Sequence, residues 1–164
     1  MKQLRIEPWS ASDRALLERL LGDPEMTTYL GGPESPEKLA QRQRRYQADG
    51  SRQYRIVAPD GDAVGYVGYW ERAWHGQDVW EVGWGVLPEF QGQGFATMAM
   101  RLLLDVIRED APRPVHAFPS VDNAASNAVC GKLGFDLIGV VDLEYPPGNP
   151  IRCNDWRLDL GSAP

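Results

Sequence analysis

Cysteine and histidine are scarce in this chain of 164 residues, with two of each. Cys130 and Cys153 are too few for a disulfide framework or a zinc site, and neither His75 nor His116 has a ligating partner at helix-face spacing. No metal is expected. Long apolar runs are also missing: none approaches the roughly 20 residues of a membrane span. Met1 to Pro8 is polar and charged, without the apolar stretch of a secretory leader. These absences predict a reduced, cytoplasmic protein with no membrane partner. Basic charge is in deficit, the formal net charge being -6. Contact with phosphate backbones needs a basic face, so nucleic acid is not expected as a partner. Acidic charge serves solubility, and it can also steer a cationic substrate.

What is present is enough for a core. The chain is 43% hydrophobic with six Trp and six Tyr, a composition that excludes disorder. Its length suits one domain, 1–164. Gly and Pro are scattered without a period, which excludes collagen, repeats and low-complexity tracts.

The punctuation predicts alternating strands and helices. Gln3 to Pro8 reads as a first strand. Ser12 reads as the cap of a helix carrying Leu16, Leu17, Leu20 and Leu21 and closed by Gly22. Ser35-Pro36 opens a second helix that runs to about Asp49, expected to be shallow because it has few apolar anchors. Strands Tyr54–Ala58 and Ala63–Trp70 flank a turn at Pro59-Asp60-Gly61-Asp62. A loop over Arg72–Asp78 leads to the strand Val79–Val86, where Trp80, Val82, Trp84 and Val86 share one face and Glu81, Gly83 and Gly85 share the other. After Gln91-Gly92-Gln93-Gly94 comes a strongly amphipathic helix from Phe95 to about Asp110. Val115–Phe118 is a strand, Ala124–Leu133 a helix, and Phe135–Val141 and Arg152–Leu160 are the final strands. The order implies a single mixed α/β domain, its sheet largely antiparallel in the first half.

The strand, glycine-rich turn and helix between Val79 and Asp110 carry the main chemical signal. Successive backbone N–H groups at a helix start, with glycines that admit a ligand, form an anion site suited to phosphate or pyrophosphate. A P-loop fails, because Phe95-Ala96-Thr97 stands where Gly-Lys-Ser/Thr is required. The dinucleotide fingerprint fits poorly, with Thr97 where its third Gly or Ala belongs. Taken alone, the segment also reads as a tight turn with no ligand.

Gln91-x-x-Gly94-x-Ala96, followed by Asn123-x-x-Ser126 and by Lys132-Leu133-Gly134-Phe135, resembles the two signatures of the GNAT superfamily of acyl-CoA N-acyltransferases. The resemblance runs from about Arg5 to Leu160. It is nearest to the branch that acetylates the N-termini of ribosomal proteins. It implies acetyl-CoA as cosubstrate, lying between the splayed strands Val79–Val86 and Val115–Phe118. The pyrophosphate would rest on the backbone of Gln91, Gly92, Gln93, Gly94, Phe95, Ala96 and Thr97, and Trp84 and Val86 would offer backbone partners to the pantetheine arm. The acceptor would be a primary amine on a protein or a small molecule. The superfamily also makes a homodimer an expectation by analogy.

Transfer requires a neutral amine, so a group must take a proton from the ammonium. Glu81, the one carboxylate on the glycine face of its strand, is the first candidate; a salt-bridged surface role is the alternative. Glu71, Glu144 and Asp155 near strand ends, and His75, are weaker candidates. The leaving CoA thiolate, whose thiol has a pKa of roughly 8.5, benefits from a donor. Where many superfamily members carry a tyrosine this chain has Cys130, expected to be a buried packing residue. The resemblance assigns the donor role to Ser126 instead. Asn123 is expected to contact the cofactor, to cap the helix, or both. Trp70, Trp80, Trp84 and Trp156 are expected in core or cleft wall, and Trp9 and Trp74 near an acceptor pocket built by Met26–Tyr46 and Leu143–Asn154. The rival function is a non-catalytic module that binds acyl-CoA or a cationic small molecule on the same fold.

Overall fold

A computed structural model describes residues 2–161. Seven strands form one sheet: β1 (Arg5–Pro8), β2 (Gln53–Val57), β3 (Ala63–Trp74), β4 (Gln77–Val86), β5 (Val115–Ala117), β6 (Asp136–Glu144) and β7 (Pro150–Leu158). Their spatial order is β1-β2-β3-β4-β5-β7-β6. Every neighbouring pair is antiparallel except β4 and β5. Four helices flank the sheet: α1 (Arg14–Leu21), α2 (Pro36–Gln47), α3 (Phe95–Arg108) and α4 (Ala124–Lys132).

Alternation along β3 and β4 divides the interior. Val67, Tyr69, Trp80, Val82 and Val86 point to one face, where they pack with Ala99, Met100, Leu103, Leu104 and Ile107 of α3 and Cys130 of α4. Tyr66, one residue from Val67, points to the other face and joins a second cluster of Trp9, Leu17, Leu20, Leu39, Tyr46 and Leu87. The first cluster is the main core. The second seats α1 and α2 over the face that also carries Glu81.

Four local expectations are corrected. The first helix is not capped by Ser12. The chain enters it through a 3-10 turn, Ala11–Asp13, whose Asp13 carboxylate reaches back to accept from the Ser10 backbone N–H at 2.8 Å and the Ser10 hydroxyl at 3.0 Å. The expected loop over Arg72–Asp78 is a tight hairpin, because β3 and β4 pair as far as Trp74↔Gln77. His75 and Gly76, at φ 50° and 76°, supply the two positive-φ positions that such a turn needs. α2 is not shallow: Leu39, Gln43 and Tyr46 are buried. Its scarcity of apolar anchors is offset by Gln43, which accepts from Trp9 Nε1 at 2.9 Å and donates to the Ser10 carbonyl at 3.0 Å. Trp9 is accordingly core, 4% exposed and edge-on to Tyr46, not a pocket wall.

Candidate active site

The sheet opens at its one parallel junction. β4 and β5 pair only at Trp80↔Val115 and Glu81↔His116, and from Val82 onward they part. A wedge therefore opens between the C-terminal half of β4 and the loop after β5. Trp84 lies along this stretch and packs partly on the α3 core. Of the two expected backbone partners, the Val86 carbonyl is engaged within the protein, accepting from Gln91 Nε2 at 2.9 Å. Gln91 thus fastens the following turn to the end of β4.

At the mouth of the wedge the turn climbs into α3. Gly92 and Gly94 sit at φ 76° and 79°, a left-handed region that favours glycine. A Cβ at Gly92 would meet nothing within 4 Å, and one at Gly94 would meet only the Met98 methyl at 3.9 Å. Space over both residues is open. Gly94 is the N-cap of α3 and no side chain caps that helix. The N–H groups of Phe95, Ala96 and Thr97 thus have no intrahelical partners and form the positive end of the helix dipole. Gly94, Thr97, Met98, Arg101 and Lys132 line a depression of about 390 Å³ there. Arg101 and Lys132 place two cations beside a helix N-terminus, a donor set that fits the phosphates of coenzyme A. Neither was singled out as a site residue from the sequence. The signal for Arg101 was its place on α3 two turns past Gly94, and for Lys132 its place in the second signature.

At the vertex of the wedge stands Glu81, its side chain 16% exposed. Burial raises its carboxyl above the ordinary value of 4.5, and the Arg72 guanidinium, donating from Nη1 at 2.5 Å, opposes that rise. A half-shielded carboxylate with a raised pKa suits proton acceptance near neutral pH. The face that it shares with Gly83 and Gly85 is not bare backbone. A Cβ at Gly83 would come within 2.9 Å of the Trp70 ring, and one at Gly85 within 2.7 Å of the Tyr66 ring. The glycines make room for aromatic rings from β3, which pave the face on which a substrate would lie. Trp80 is core and Trp156 is half-buried, whereas Trp70 lies at the surface, 36% exposed.

The weaker base candidates are otherwise engaged. Glu71 is exposed and pairs with Arg113, and Glu144 accepts from the Gly148 N–H. His75 stacks on Trp74 in the hairpin turn. Asp155 is buried, accepting from Trp74 Nε1 at 3.1 Å and lying 2.6 Å from His116 Nδ1. His116, isolated in the sequence, thus has a buried carboxylate partner 39 residues away.

Across the wedge, α4 presents Asn123 and Ser126. The Asn123 side chain caps the helix, accepting from the Ser126 N–H at 3.2 Å. Ser126 is half-buried, and its hydroxyl takes no partner among the described residues. Asn127, which the sequence did not mark, holds this corner together. Its amide nitrogen donates to the carbonyls of Ser120 and Asn123, and its oxygen accepts from Asn154 Nδ2 and Trp156 Nε1, all at 2.8–2.9 Å. Cys130 is fully buried, and burial pushes its thiol up to about 12, which leaves it inert as an acid or a nucleophile.

The two segments assigned to the acceptor side meet. A Cβ at Gly31 would strike Asn149 and Pro146 at 2.8 Å. Arg42 bridges the segments, pairing with the Glu34 carboxylate and donating to the hydroxyls of Tyr46 and Tyr145. Together they wall one side of the Glu81 face. Among the described residues, no group of three or more His, Cys, Asp or Glu side chains could hold a metal, and no helix is long and apolar enough to cross a membrane.

A seven-stranded mixed sheet parted at one parallel junction, with a glycine turn and an uncapped helix at the opening, defines an α/β acyltransferase domain. The model of the acetyltransferase (GNAT) domain matches residues 3–136, and the chain belongs to that family. No curated protein matches it in sequence. Among solved structures, spermidine N-acetyltransferase from Vibrio cholerae, in complex with CoA and spermine, is 18% identical with a TM-score of 0.79, over 96% of this chain and 95% of that one. Ribosomal-protein-S5-alanine acetyltransferase from Vibrio fischeri is 16% identical with a TM-score of 0.75, over 97% and 94%. An aminoglycoside acetyltransferase in complex with coenzyme A is 18% identical with a TM-score of 0.74, over 96% and 95%. These likenesses concern the fold.

Proposed function

We propose that this acetyltransferase moves an acetyl group from acetyl-CoA to a primary amine by direct attack in a ternary complex. The observation that carries the proposal is the wedge itself, with an anion-binding turn at its mouth and a shielded carboxylate at its vertex. Acetyl-CoA supplies an activated acyl group. The backbone from Gln91 to Thr97, with Arg101 and Lys132, holds its phosphates. Glu81 takes the proton from the acceptor ammonium, freeing the nitrogen lone pair. Ser126, supported by Asn123 and Asn127, donates its hydroxyl toward the departing sulfur. The similar structures are acetyltransferases of a polyamine, an aminoglycoside and a ribosomal-protein alanine. All present an amine, and the paved face of Trp70 and Tyr66 accommodates a chain with an apolar stem.

The decisive experiment is calorimetric titration with acetyl-CoA and CoA, followed by an assay of CoA release against amines and N-terminal peptides. Binding with amine-dependent CoA release supports the proposal. Binding with release no faster than hydrolysis would leave a non-catalytic acyl-CoA module. Glu81→Gln should lower kcat at pH 7 by roughly 100-fold, the usual scale of a lost general base, with little change in acetyl-CoA affinity. The carboxylate must be ionised to act, and its pKa is raised, so the acidic fall of the wild-type rate should lie above pH 4.5 and vanish in this variant. Ser126→Ala should slow transfer by about tenfold, in line with one lost hydrogen bond to a charged group.

A further inference from the structure

His116 is the second polar residue at the vertex, and its surroundings are those of an oriented base. Val115 and Ala117, on either side of it, face the α3 core, so His116 shares the opposite face with Glu81, its partner in the last pair before β4 and β5 diverge. The imidazole is 3% exposed. Nδ1 lies 2.6 Å from Asp155 Oδ1, while Asp155 Oδ2 accepts from Trp74 Nε1 at 3.1 Å. Both carboxylate oxygens are thereby engaged, and the ring is held flat against Phe118, 5.7 Å away with planes inclined by 15°. A carboxylate at Nδ1 selects the tautomer with its proton there, which leaves a lone pair on Nε2. Nε2 is buried and has no hydrogen-bond partner among the described residues. Leaving such an atom unpaired costs stability, and the fold spends a second buried residue, Asp155, on orienting it.

We propose that His116, oriented by Asp155, is the residue on which the acceptor's proton comes to rest, Glu81 passing it on. The inference rests on the transferase function proposed above. In the transfer, an N–H bond of the ammonium breaks and its electron pair stays on nitrogen. That pair forms the new N–C bond as the C–S bond breaks, sulfur leaves with the electrons of that bond, and a second proton passes from the nitrogen to the sulfur by way of the Ser126 hydroxyl, giving the amide and the CoA thiol. The first proton travels from nitrogen to Glu81 and on to Nε2 of His116, which gives it up to solvent when the products leave, so Glu81 is an anion and Nε2 is bare again before the next turnover. The charged groups beside the ring among the described residues are Asp155 from β7, Glu81 from β4 and, through Glu81 and over the Phe118 ring, Arg72 from β3. Asp155 acts through His116 and is a positioning residue.

Two measurements test this. In the free wild-type protein, ¹⁵N NMR of the imidazoles should show neutral His116 carrying its proton on Nδ1, with Nε2 bare. A neutral ring with its proton on Nε2 would overturn the proposal. In the CoA-release assay, His116→Asn, which keeps a donor for Asp155, should lower kcat at pH 7 by roughly 100-fold and leave the KM for acetyl-CoA unchanged. It should also remove one ionisation from the pH profile. Asp155→Asn should give the same loss with the profile displaced and not abolished. An active wild type whose His116→Asn variant keeps its rate and profile would overturn this inference alone. A wild type that releases no CoA with any amine would overturn the transferase function, and this inference with it.

Discussion

Helices α3 and α4 both begin at the wedge, and they begin in opposite ways. α3 starts on a left-handed glycine with no side-chain cap. α4 starts on Asn123, whose side chain closes the first turn. One helix keeps its N-terminal donors free and is anchored by a long apolar face in the core. The other has its donors engaged within the protein, little apolar periodicity, and a polar hub at Asn127 that fastens it to β7. Where hydrophobic burial secures a helix, its start is available to a ligand. Where burial is thin, hydrogen bonds must do the securing, and the start is consumed by them.

Substitutions at either helix test this contrast. Gly94→Val places a β-branched residue at φ 79° in the open turn proposed to hold the CoA phosphates. Strain and lost N–H contacts of about 3 kcal/mol correspond to roughly 100-fold weaker acetyl-CoA binding by calorimetry, while circular dichroism should show α3 intact. Asn127→Ala should do the reverse. It removes four hydrogen bonds and strands buried partners, costing about 2–3 kcal/mol and lowering Tm in a thermal scan, with a small change in cofactor affinity. If Gly94→Val instead unfolded the protein while Asn127→Ala spared it, the contrast would be wrong. Replacing Arg101 and Lys132 together by Ala should weaken CoA binding by about tenfold at low salt. That difference should shrink as ionic strength rises, because both side chains are exposed.

Legibility in the sequence followed the range of the interactions. Local signals gave the Ser35 cap, the amphipathic α3, the glycine turn and the face alternation of β4, because each is written within one turn or one strand. Cross-strand facts were invisible. That Trp70 and Tyr66 would fill the space over Gly83 and Gly85 depends on the β3–β4 register. The pairing of His116 with Asp155 depends on β7 crossing back beside β5. The hairpin at His75-Gly76 escaped notice because its first turn residue is a histidine, where Asn, Asp or Gly is the usual signal. At the candidate site, the open glycine turn and the uncapped start of α3 were therefore readable, and the His116–Asp155 pair was not.

The two-rung junction of β4 and β5 has a consequence for motion. Antiparallel ladders join β1 to β4 and, through β7, β5 to β6, each set with one register shift, at Ile56/Val57 and at Leu137/Gly139, but only the two residue pairs of that junction join the sets. The sheet is in effect two plates meeting at a short seam, with α3 and α4 packed beneath. Amide hydrogen exchange should show the β6–β7 plate opening at lower free energy than the β2–β4 plate. A ligand lying in the seam would brace both plates at once, so its binding should slow exchange in β6 and β7.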